Sequence, residues 1–443
     1  MSDEILHRCK AKYITLGCKL NFSETSTIAE LMKKKGVKNI TSDEVPDVIV
    51  VNTCSVTSVA DKKCRQIIKS LNRSYPKARI VVTGCYSQLK HQEVSSLPGV
   101  ILVVGNDCKM EIPDLLEKLL NKGETNITVG NASEFTEFAH SCSKGDRTRY
   151  FMKIQDGCNY FCSYCTIPYA RGRSRSPHIE SLISQAQQVA EAGGKEIVLT
   201  GVNIGDFGHN TGETFIDLIQ SLDKVDGIER YRISSIEPNL LTDKIIDFVA
   251  ESKRFMPHFH IPLQSGNDNV LKLMRRHYDT SLFEARIKQI NQAIPDAFIG
   301  VDLIVGMRGE TNEFFYNSCR FIEHLDISRL HVFPYSERPG TVALKIPLTV
   351  DSFQKKERMR RACEISSAKE RKFSERFIGQ IRPVLFEKFD KTTGILYGHT
   401  DNYLRVCAET NIDPTYYVNN IVPVEIGNIM TDDEGILSKS IIR

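Results

Sequence analysis

The chain has 443 residues, 13 cysteines and a formal net charge of +3, and 26% of its residues are charged. A chain of this length usually folds into roughly two to four domains. A mixed charge so close to neutral gives no overall sign of nucleic-acid binding, so any surface that binds RNA must be local. No apolar run reaches the roughly 18 residues of a membrane span, and the first residues are polar. We therefore expect no membrane partner and a reducing, cytoplasmic compartment in which the cysteines do not form disulfides.

The first third of the chain alternates between strand-like and helix-like patterns. Strands are predicted at 13–17, 47–52, 79–83 and 100–104, and helices at 23–35 and 60–71. Such alternation is typical of a parallel sheet flanked by helices. We predict an open parallel α/β sheet domain over residues 9–130.

A cysteine follows each of three predicted strands within two residues, namely Cys18, Cys54 and Cys85. The separations are each about the length of one strand–helix–strand unit, so all three thiols should lie at the same carboxyl edge of the sheet. That edge is where open α/β sheets bind ligands. A single cysteine is most often a small buried apolar residue, but three at equivalent positions predict a metal site.

A second group of cysteines lies within one short segment, formed by Cys158, Cys162 and Cys165. Three thiolates at this spacing can bind three irons of one [4Fe–4S] cluster, which normally takes four cysteines, and the fourth iron then stays open. The alternatives are a structural zinc site or three unrelated buried thiols. Zinc sites usually add a second pair of Cys or His ligands about 12 to 20 residues further on, and no such pair follows Cys165.

Six further strands are predicted at 149–154, 196–200, 230–234, 258–263, 297–304 and 329–334, with helical patterns between them. Six strand–helix units predict an incomplete (β/α)6 barrel over residues 145–376, with its active site at the carboxyl ends of the strands. Polar residues are found at those ends, and most such residues are ordinary turn or capping groups. Their collection around one rim makes them candidates for cofactor or substrate contacts: Asn203, Ser235, Glu237, Gln264, Ser265 and Asp302.

Two cationic segments follow. Arg171, Arg173 and Arg175 come shortly after the second cysteine group, where they could bind a carboxylate or phosphate or could be solvated. A charged helix is predicted at 350–374, although a charge run is usually only a solvated face. Its cations at the amino end are Lys355, Lys356, Arg358, Arg360 and Arg361.

The last segment, residues 377–443, is predicted to form a small antiparallel β-barrel. Such barrels often bind RNA through stacking and backbone contacts, but this one is rich in acidic residues. We therefore predict that RNA is bound mainly by Arg171, Arg175 and the cations of the preceding helix, with stacking by Tyr403 in the barrel.

Together these features resemble the methylthiotransferases of the radical S-adenosylmethionine (SAM) superfamily over nearly the whole chain. Three segments resemble the amino-terminal domain of that family: Thr15-Leu16-Gly17-Cys18-Lys19-Leu20-Asn21, Asn52-Thr53-Cys54 and Thr83-Gly84-Cys85. Two further segments resemble the family's motif for the cluster that binds SAM: Gly157-Cys158-Asn159-Tyr160-Phe161-Cys162-Ser163-Tyr164-Cys165-Thr166-Ile167-Pro168 and Arg171-Gly172-Arg173. Pro262-Leu263-Gln264-Ser265-Gly266 and a terminal barrel that resembles a TRAM domain complete the order.

The resemblance implies an enzyme that inserts sulfur and a methyl group into an unactivated C–H bond. It implies two [4Fe–4S] clusters, an auxiliary one held by Cys18, Cys54 and Cys85, and one that binds SAM. One SAM would methylate a sulfur at the auxiliary cluster, and a second would yield the radical. SAM or substrate contacts are expected at Asn203, Ser235, Glu237, Gln264 and Arg173, and no residue is assigned to acid–base catalysis. The expected partners are a tRNA anticodon stem-loop, an electron-donor protein and a sulfur donor, and the protein is expected to be a monomer.

Three substrates occur in the family: threonylcarbamoyladenosine in tRNA, isopentenyladenosine in tRNA, and an aspartate of a ribosomal protein. The first is favoured by Thr15-Leu16-Gly17-Cys18-Lys19, Gly201-Val202-Asn203-Ile204-Gly205 and Ser234-Ser235-Ile236-Glu237-Pro238. The chain departs from the family pattern at Asn203, where histidine is expected, and at Met307-Arg308, where Phe-Pro is expected. A metal-dependent RNA-binding protein without catalytic activity is the alternative from a different functional class.

Overall fold

The computed structural model describes residues 6–40, 44–120, 126–143, 148–410, 412–432 and 435–443. The predicted start of the second domain, residue 145, lies outside these ranges. Across the described ranges, every helix is too short or too polar to cross a membrane.

The amino-terminal part of the chain forms a parallel sheet of six strands in the order β2-β1-β3-β4-β5-β6. Its strands are β1 (Lys10–Thr15), β2 (Lys38–Asn39), β3 (Val48–Thr53), β4 (Arg79–Gly84), β5 (Val100–Val104) and β6 (Asn126–Thr128). Its helices are α1 (Lys19–Lys34), α2 (Ser58–Ser74), α3 (Cys85–Ser95) and α4 (Ile112–Leu120). β3 is buried along its whole length because helices cover both faces of the sheet. The strand order reverses between β1 and β3, and ligands bind open α/β sheets at such a switch point.

The central part of the chain forms two parallel sheets of three strands, β7-β8-β9 and β10-β11-β12. The strands are β7 (Arg149–Lys153), β8 (Glu196–Thr200), β9 (Arg230–Ile233), β10 (His258–Gln264), β11 (Phe298–Val305) and β12 (Arg329–Pro334). The helices are α5 (Ile167–Arg171), α6 (Ile179–Glu191), α7 (Phe215–Leu222), α8 (Asp243–Glu251), α9 (Asp268–Leu273), α10 (Thr280–Ala293) and α11 (Asn312–His324). A parallel bridge between Ser235 and His260 joins the two sheets. The prediction of a mixed α/β fold with parallel strands is confirmed.

A long helix, α12 (Ser352–Glu375), packs on β12 and leads into the carboxyl-terminal strands. These are β13 (Ile381–Asp390), β14 (Ile395–Thr400), β15 (Arg405–Glu409), β16 (Ile421–Glu425), β17 (Ile429–Asp432) and β18 (Gly435–Ile442). Their order is β15-β14-β13-β16-β18-β17, and an additional pairing between β15 and β18 closes a ring of strands. That closing pair is parallel, whereas the other pairs are antiparallel, so the predicted antiparallel barrel is mixed at one seam.

The carboxyl-terminal strands pack against the amino ends of the central strands through arginines. Arg230, the first residue of β9, donates to the carbonyl of Pro383 at 2.8 Å. Arg232 donates to the carbonyls of Thr400 and Asp401 at 2.8 and 2.7 Å. The opposite ends of the central strands, where the candidate rim residues lie, therefore remain available for chemistry.

Candidate functional site

The first cysteine group lies at the switch point of the amino-terminal sheet. Cys18 is the N-cap of α1, Cys54 follows β3, and Cys85 opens α3 after β4. Gly17 has a φ of +104°, and a Cβ there would lie 2.6 Å from the Cβ of Cys54. Because only glycine permits this close approach, the end of β1 lies directly against Cys54. The sheet topology thus brings together three thiols that are far apart in the sequence, as predicted.

The polar surroundings of this group are incompletely hydrogen-bonded. The side chains of Asn106 and Cys85 lie near each other, with the Nδ2 and Sγ atoms 4.0 Å apart. In the described part of the chain, Asn52 Oδ1, Thr83 Oγ1, Ser87 Oγ and Asn106 Oδ1 are buried without a hydrogen-bond partner. Burial, and after it the proximity of Cys85, raises the pKa of Cys54 to about 12. Three thiols beside unpaired buried polar atoms fit a bound metal cluster, which deprotonates a coordinating thiol outright.

The second cysteine group lies in the loop between β7 and α5, and hydrogen-bond donors point at each sulfur. The Sγ of Cys158 accepts from the Tyr160 amide at 3.5 Å, and that of Cys165 accepts from the Ile167 amide at 3.4 Å. Arg276 Nη1 donates to the Sγ of Cys162 at 3.1 Å. Donors around sulfur ligands stabilise thiolates and tune the potential of a cluster. These residues therefore fit the [4Fe–4S] site that the spacing predicts.

Burial keeps these thiols protonated until a metal replaces the proton. It raises the pKa of Cys158 and of Cys165 to about 12. Among the described residues, no three Cys, His, Asp or Glu side chains converge as they would around one metal ion. In a [4Fe–4S] cluster, by contrast, each cysteine binds a different iron.

Arg276, which the sequence did not indicate, also forms an ion pair with Glu237, a predicted contact of SAM or substrate. Burial raises the pKa of Glu237 although Arg276 opposes this. Arg276 lies 114 residues after Cys162, so no local motif connects them.

Of the other predicted rim residues, Asn203, Ser235, Gln264 and Ser265 lie at or just beyond the carboxyl ends of the central strands. Asp302 does not, because β11 continues for three residues beyond it. Asn203 is 3% exposed, and both polar atoms of its side-chain amide lack a partner in the described part of the chain. Gln264 ends β10 with a φ of +63°, a conformation that non-glycine residues rarely adopt outside functional sites. Ser235 Oγ lies 3.4 Å from His260 Nδ1. Arg173 is exposed, and its guanidinium lies 5.5 Å from the centre of the Phe161 ring.

A buried group of charges joins the two cysteine groups. Arg171 donates to both carboxylate oxygens of Glu24 at 3.0 and 3.2 Å, and to Asp156 Oδ1 at 3.0 Å. Lys109 and Lys153 bind Glu24 at 2.6 and 3.3 Å. Burial raises the pKa of Glu24, but Arg171, Lys109 and Lys153 more than offset this, so the pKa falls well below its usual value. The carboxylates thus stay charged and hold α1 against the segment that follows the second cysteine group.

The predicted RNA contacts of Arg171, Arg175 and Arg358 are wrong. Arg171 and Arg175 are 1% and 5% exposed because they pair with buried carboxylates. Arg358 is 4% exposed and pairs with Glu310 at 2.6 Å. Arginines that form ion pairs with buried carboxylates cannot reach phosphates at the surface.

Tyr403 also differs from its predicted role of stacking on RNA at an open surface. Its hydroxyl accepts from Arg149 Nη1 at 3.1 Å, and its ring packs on His399 and His258. Tyr403 is therefore part of the interface with the central strands. Of the remaining predicted contacts on α12, Lys356, Arg360 and Arg361 are exposed and Lys355 is half-buried. Arg360 pairs with Glu357 and Glu364, and Arg361 with Glu323.

Comparisons with known proteins cover most of the chain. Residues 10–105 match the uncharacterized protein family UPF0004, and residues 152–322 match the radical SAM superfamily, whose members use a [4Fe–4S] cluster and SAM. The threonylcarbamoyladenosine tRNA methylthiotransferase MtaB of Bacillus subtilis is 38% identical over 93% of this chain and 92% of its own length. The tRNA-2-methylthio-N(6)-dimethylallyladenosine synthase of Pelotomaculum thermopropionicum is 31% identical over 97% of this chain and 98% of its own.

Among solved structures, the radical SAM methyltransferase TsrM of Kitasatospora setae superposes with a TM-score of 0.54. The match covers 73% of this chain and 74% of that chain at 13% identity, so it supports the fold alone. The sequence resemblance is confirmed by full-length relatives above 30% identity. The chain belongs to the methylthiotransferase family of radical SAM enzymes.

Proposed function

We propose that this enzyme inserts sulfur and a methyl group at C2 of N6-threonylcarbamoyladenosine at position 37 of tRNA. Five relatives that are named for this nucleoside are 32% to 38% identical to the chain. Three relatives that are named for dimethylallyladenosine are 30% to 31% identical. The observation that carries the proposal is the pair of cysteine groups, because a methylthiotransferase must both generate a radical and hold a sulfur donor.

The proposed ligands of the SAM cluster are Cys158, Cys162 and Cys165, and those of an auxiliary [4Fe–4S] cluster are Cys18, Cys54 and Cys85. When bound, the first cluster supplies the electron that cleaves SAM and the second holds the sulfur for transfer. The protein's own contribution is to place both groups at one site. Arg171 supports this role because it binds Glu24 and Asn21 beside Cys18, and its segment binds Cys158 through the carbonyl of Gly172 at 3.0 Å.

The rim residues provide candidate contacts for SAM and substrate. The buried, unpartnered amide of Asn203 could form hydrogen bonds to a ligand at no cost to existing ones. Ser235, Glu237, Gln264 and Arg173 are further proposed contacts, and their assignment rests on their positions in the sequence and at the strand ends. A tRNA anticodon stem-loop, an electron-donor protein and a sulfur donor are the partners this chemistry requires.

We propose three domains for this function. Residues 9–130 hold the auxiliary cluster, residues 145–376 carry out the radical chemistry, and residues 377–443 form a TRAM-like barrel. The exposed cations Lys356, Arg360 and Arg361, with Lys355, are the proposed tRNA contacts of the second unit.

Mass spectrometry of tRNA nucleosides from a deletion strain tests the substrate. The strain should lack the 2-methylthio derivative of threonylcarbamoyladenosine and regain it with the wild-type gene. Loss of methylthiolated isopentenyladenosine instead, or of a methylthiolated ribosomal protein, would refute the assignment.

A variant with Cys158, Cys162 and Cys165 replaced by Ala should not restore the modification or form 5′-deoxyadenosine in vitro. Iron and sulfide analysis should show about half of the wild-type iron. Wild-type protein that binds zinc and no sulfide would favour the RNA-binding alternative.

A further inference from the structure

A cavity of about 380 Å³ lies between the central strands, the carboxyl-terminal barrel and the start of α1. This volume lies within the range of about 300–1,000 Å³ that small-ligand pockets span. Neither cysteine group contributes to its wall. The wall includes Lys19, His258, His260, Asp302, His331 and Tyr403.

The cavity adjoins the proposed auxiliary cluster site and one residue of the rim. Lys19 is the residue after Cys18, and its side chain lines the cavity. On the other side, His260 lies 3.4 Å from Ser235, one of the rim residues. A base held between the auxiliary cluster site and the rim would therefore have this cavity beside it.

Each charged side chain in the cavity wall has an ionic or hydrogen-bonding partner among the described residues, except Lys19. Arg329 pairs with Glu370 at 3.0 Å, Arg405 pairs with Asp432 at 2.9 Å, and Asp302 pairs with the ring of His260 at 2.8 Å. The Lys19 ammonium makes no ion pair or hydrogen bond with any residue that the structure describes. A half-buried cation without a partner is suited to an anionic ligand.

The effect of this cation on its neighbours supports a positive potential in the cavity. Burial raises the pKa of Tyr403, but Lys19 and then Arg149 more than offset this and lower it to about 8. Burial and then His260 lower the pKa of His331 to about 4, Asp302 opposes this, and Lys19 makes a smaller contribution in the lowering direction.

The cavity also offers uncharged polar groups. His258 is 6% exposed, and its Nδ1 atom has no hydrogen-bond partner among the described residues. Burial lowers the pKa of His258, so its ring is neutral at pH 7 and carries one donor and one acceptor. A purely hydrocarbon ligand would leave both Lys19 and His258 without a partner, which costs free energy.

We propose that this cavity binds the threonylcarbamoyl group of the substrate, with Lys19 holding its carboxylate and His258 and His331 facing its uncharged polar groups. This inference rests on the function proposed above. On adenine, C2 and the carbon that bears N6 both flank N1, so a base with C2 at the clusters carries its N6 substituent close by. The isopentenyl group has no anion for Lys19, so the cavity selects the threonylcarbamoyl substrate.

The test measures the affinity of cluster-loaded protein, without SAM, for anticodon stem-loops that differ only at position 37. The stem-loops carry threonylcarbamoyladenosine, its methyl ester, isopentenyladenosine or adenosine. Wild-type protein should bind the free acid about tenfold to a hundredfold more tightly than the ester, as expected for one charge-assisted hydrogen bond. Lys19→Met should abolish this preference and leave binding of the adenosine stem-loop unchanged, and Lys19→Arg should retain most of it.

Lys33→Met is the matched control, because Lys33 is an exposed lysine at the other end of α1. It should leave the preference for the free acid intact. A Lys19→Met variant with wild-type iron content that still prefers the acid over the ester would overturn the inference. If Lys19→Met fails to bind iron, equal binding of acid and ester by the wild-type protein would overturn it as well.

The same measurements distinguish an error in the role of Lys19 from an error in the proposed function. A wild-type protein that binds the isopentenyladenosine stem-loop most tightly would refute the substrate assignment and the inference together. A wild-type protein that methylthiolates threonylcarbamoyladenosine but binds acid and ester equally would refute only the role of Lys19.

Discussion

Arg171 and Glu24 form a two-point ion pair inside the protein, with Nη1 3.0 Å from Oε1 and Nη2 3.2 Å from Oε2. Glu24 belongs to α1 beside Cys18, and Arg171 ends α5 after the second cysteine group. Both side chains are almost fully buried. The pair therefore fixes the sheet that carries one cysteine group relative to the loop that carries the other.

Replacing Glu24 with Ala should strongly destabilise the protein. The change leaves Lys109, Lys153 and Arg171 buried with too few carboxylates, and breaking a buried ion pair costs about 3–5 kcal/mol. Glu30→Ala, a half-buried position on the same helix, should change stability by about 0.5 kcal/mol or less. Urea unfolding of both variants measures the difference. Equal midpoints for the two variants would contradict the role of Glu24.

Arg276 should raise the reduction potential of the SAM cluster, because it donates to the Sγ of Cys162 at 3.1 Å. Removing this cation disfavours the reduced, more negative cluster. We expect the double variant Arg276→Met/Glu237→Gln to have a potential lower by about 60 mV, a tenfold change for a one-electron couple. EPR-monitored redox titration without SAM measures it, with Glu237→Gln alone as the control. An unchanged potential relative to that control would show that Arg276 does not act on the cluster.

The auxiliary cluster can be tested independently of SAM cleavage. If Cys18, Cys54 and Cys85 bind it, their triple Ala variant should still form 5′-deoxyadenosine, because the other cysteine group is intact. It should produce no methylthiolated nucleoside, since no sulfur is held near the substrate. Product analysis by mass spectrometry measures both compounds in one reaction. Full methylthiolation by this variant would show that these cysteines are structural.

The exposed cations of α12 should contribute to the salt dependence of tRNA binding. In Lys356→Glu/Arg360→Glu/Arg361→Glu, each lost phosphate contact should reduce the slope of log affinity against log salt by roughly one unit. The slope should change less than it would for side chains without ion pairs, because Arg360 and Arg361 already pair with glutamates. Lys62→Glu/Lys63→Glu, at exposed positions on α2, provides a charge-reversal control.

An unchanged slope in the α12 variant, together with a large loss of affinity on deleting residues 378–443, would instead make the barrel the main tRNA contact. Arg358→Ala should lower stability and leave the slope unchanged, because Arg358 is buried against Glu310.

Glu387 should make the attachment of the carboxyl-terminal barrel dependent on pH. It pairs with Arg149 at 3.0 Å and with His399 at 2.6 Å. Burial raises the pKa of Glu387, but His399 and then Arg149 lower it to about 2. Because the folded-state pKa lies below the unfolded value of about 4.3, the stabilisation is complete above pH 4.3 and is lost as the pH falls towards 2.

Burial lowers the pKa of His399, so at pH 7 the Glu387 carboxylate is held mainly by Arg149, and we expect Glu387→Gln to lower the free energy of unfolding by about 1.5–3 kcal/mol. The deficit relative to the wild-type protein should shrink below about pH 4.3. Glu409→Gln, which removes an exposed pair with Lys439, should have a much smaller effect, because water screens that pair. Urea unfolding between pH 3 and pH 7 gives all three values, and a deficit that does not vary with pH would contradict the assignment.

Local patterns in the sequence determined the fold class and the two cysteine groups. The predicted strand at 79–83 is observed as Arg79–Gly84, and that at 329–334 as Arg329–Pro334. Parallel strands align their carboxyl ends, so cysteines that follow three of them must meet at one edge. The spacing of Cys158, Cys162 and Cys165 likewise defines a site within a single loop.

Tertiary structure alone decided which charged residues face solvent and which are buried. Arg171 and Arg358 resemble surface cations in the sequence, but their partners Glu24 and Glu310 are 147 and 48 residues away. No local pattern encodes such pairs, because charged side chains are buried only where distant segments bring compensating charges together. The same reason explains why Arg276 and the cavity at Lys19 could not be predicted, since each depends on elements that meet only in the folded chain.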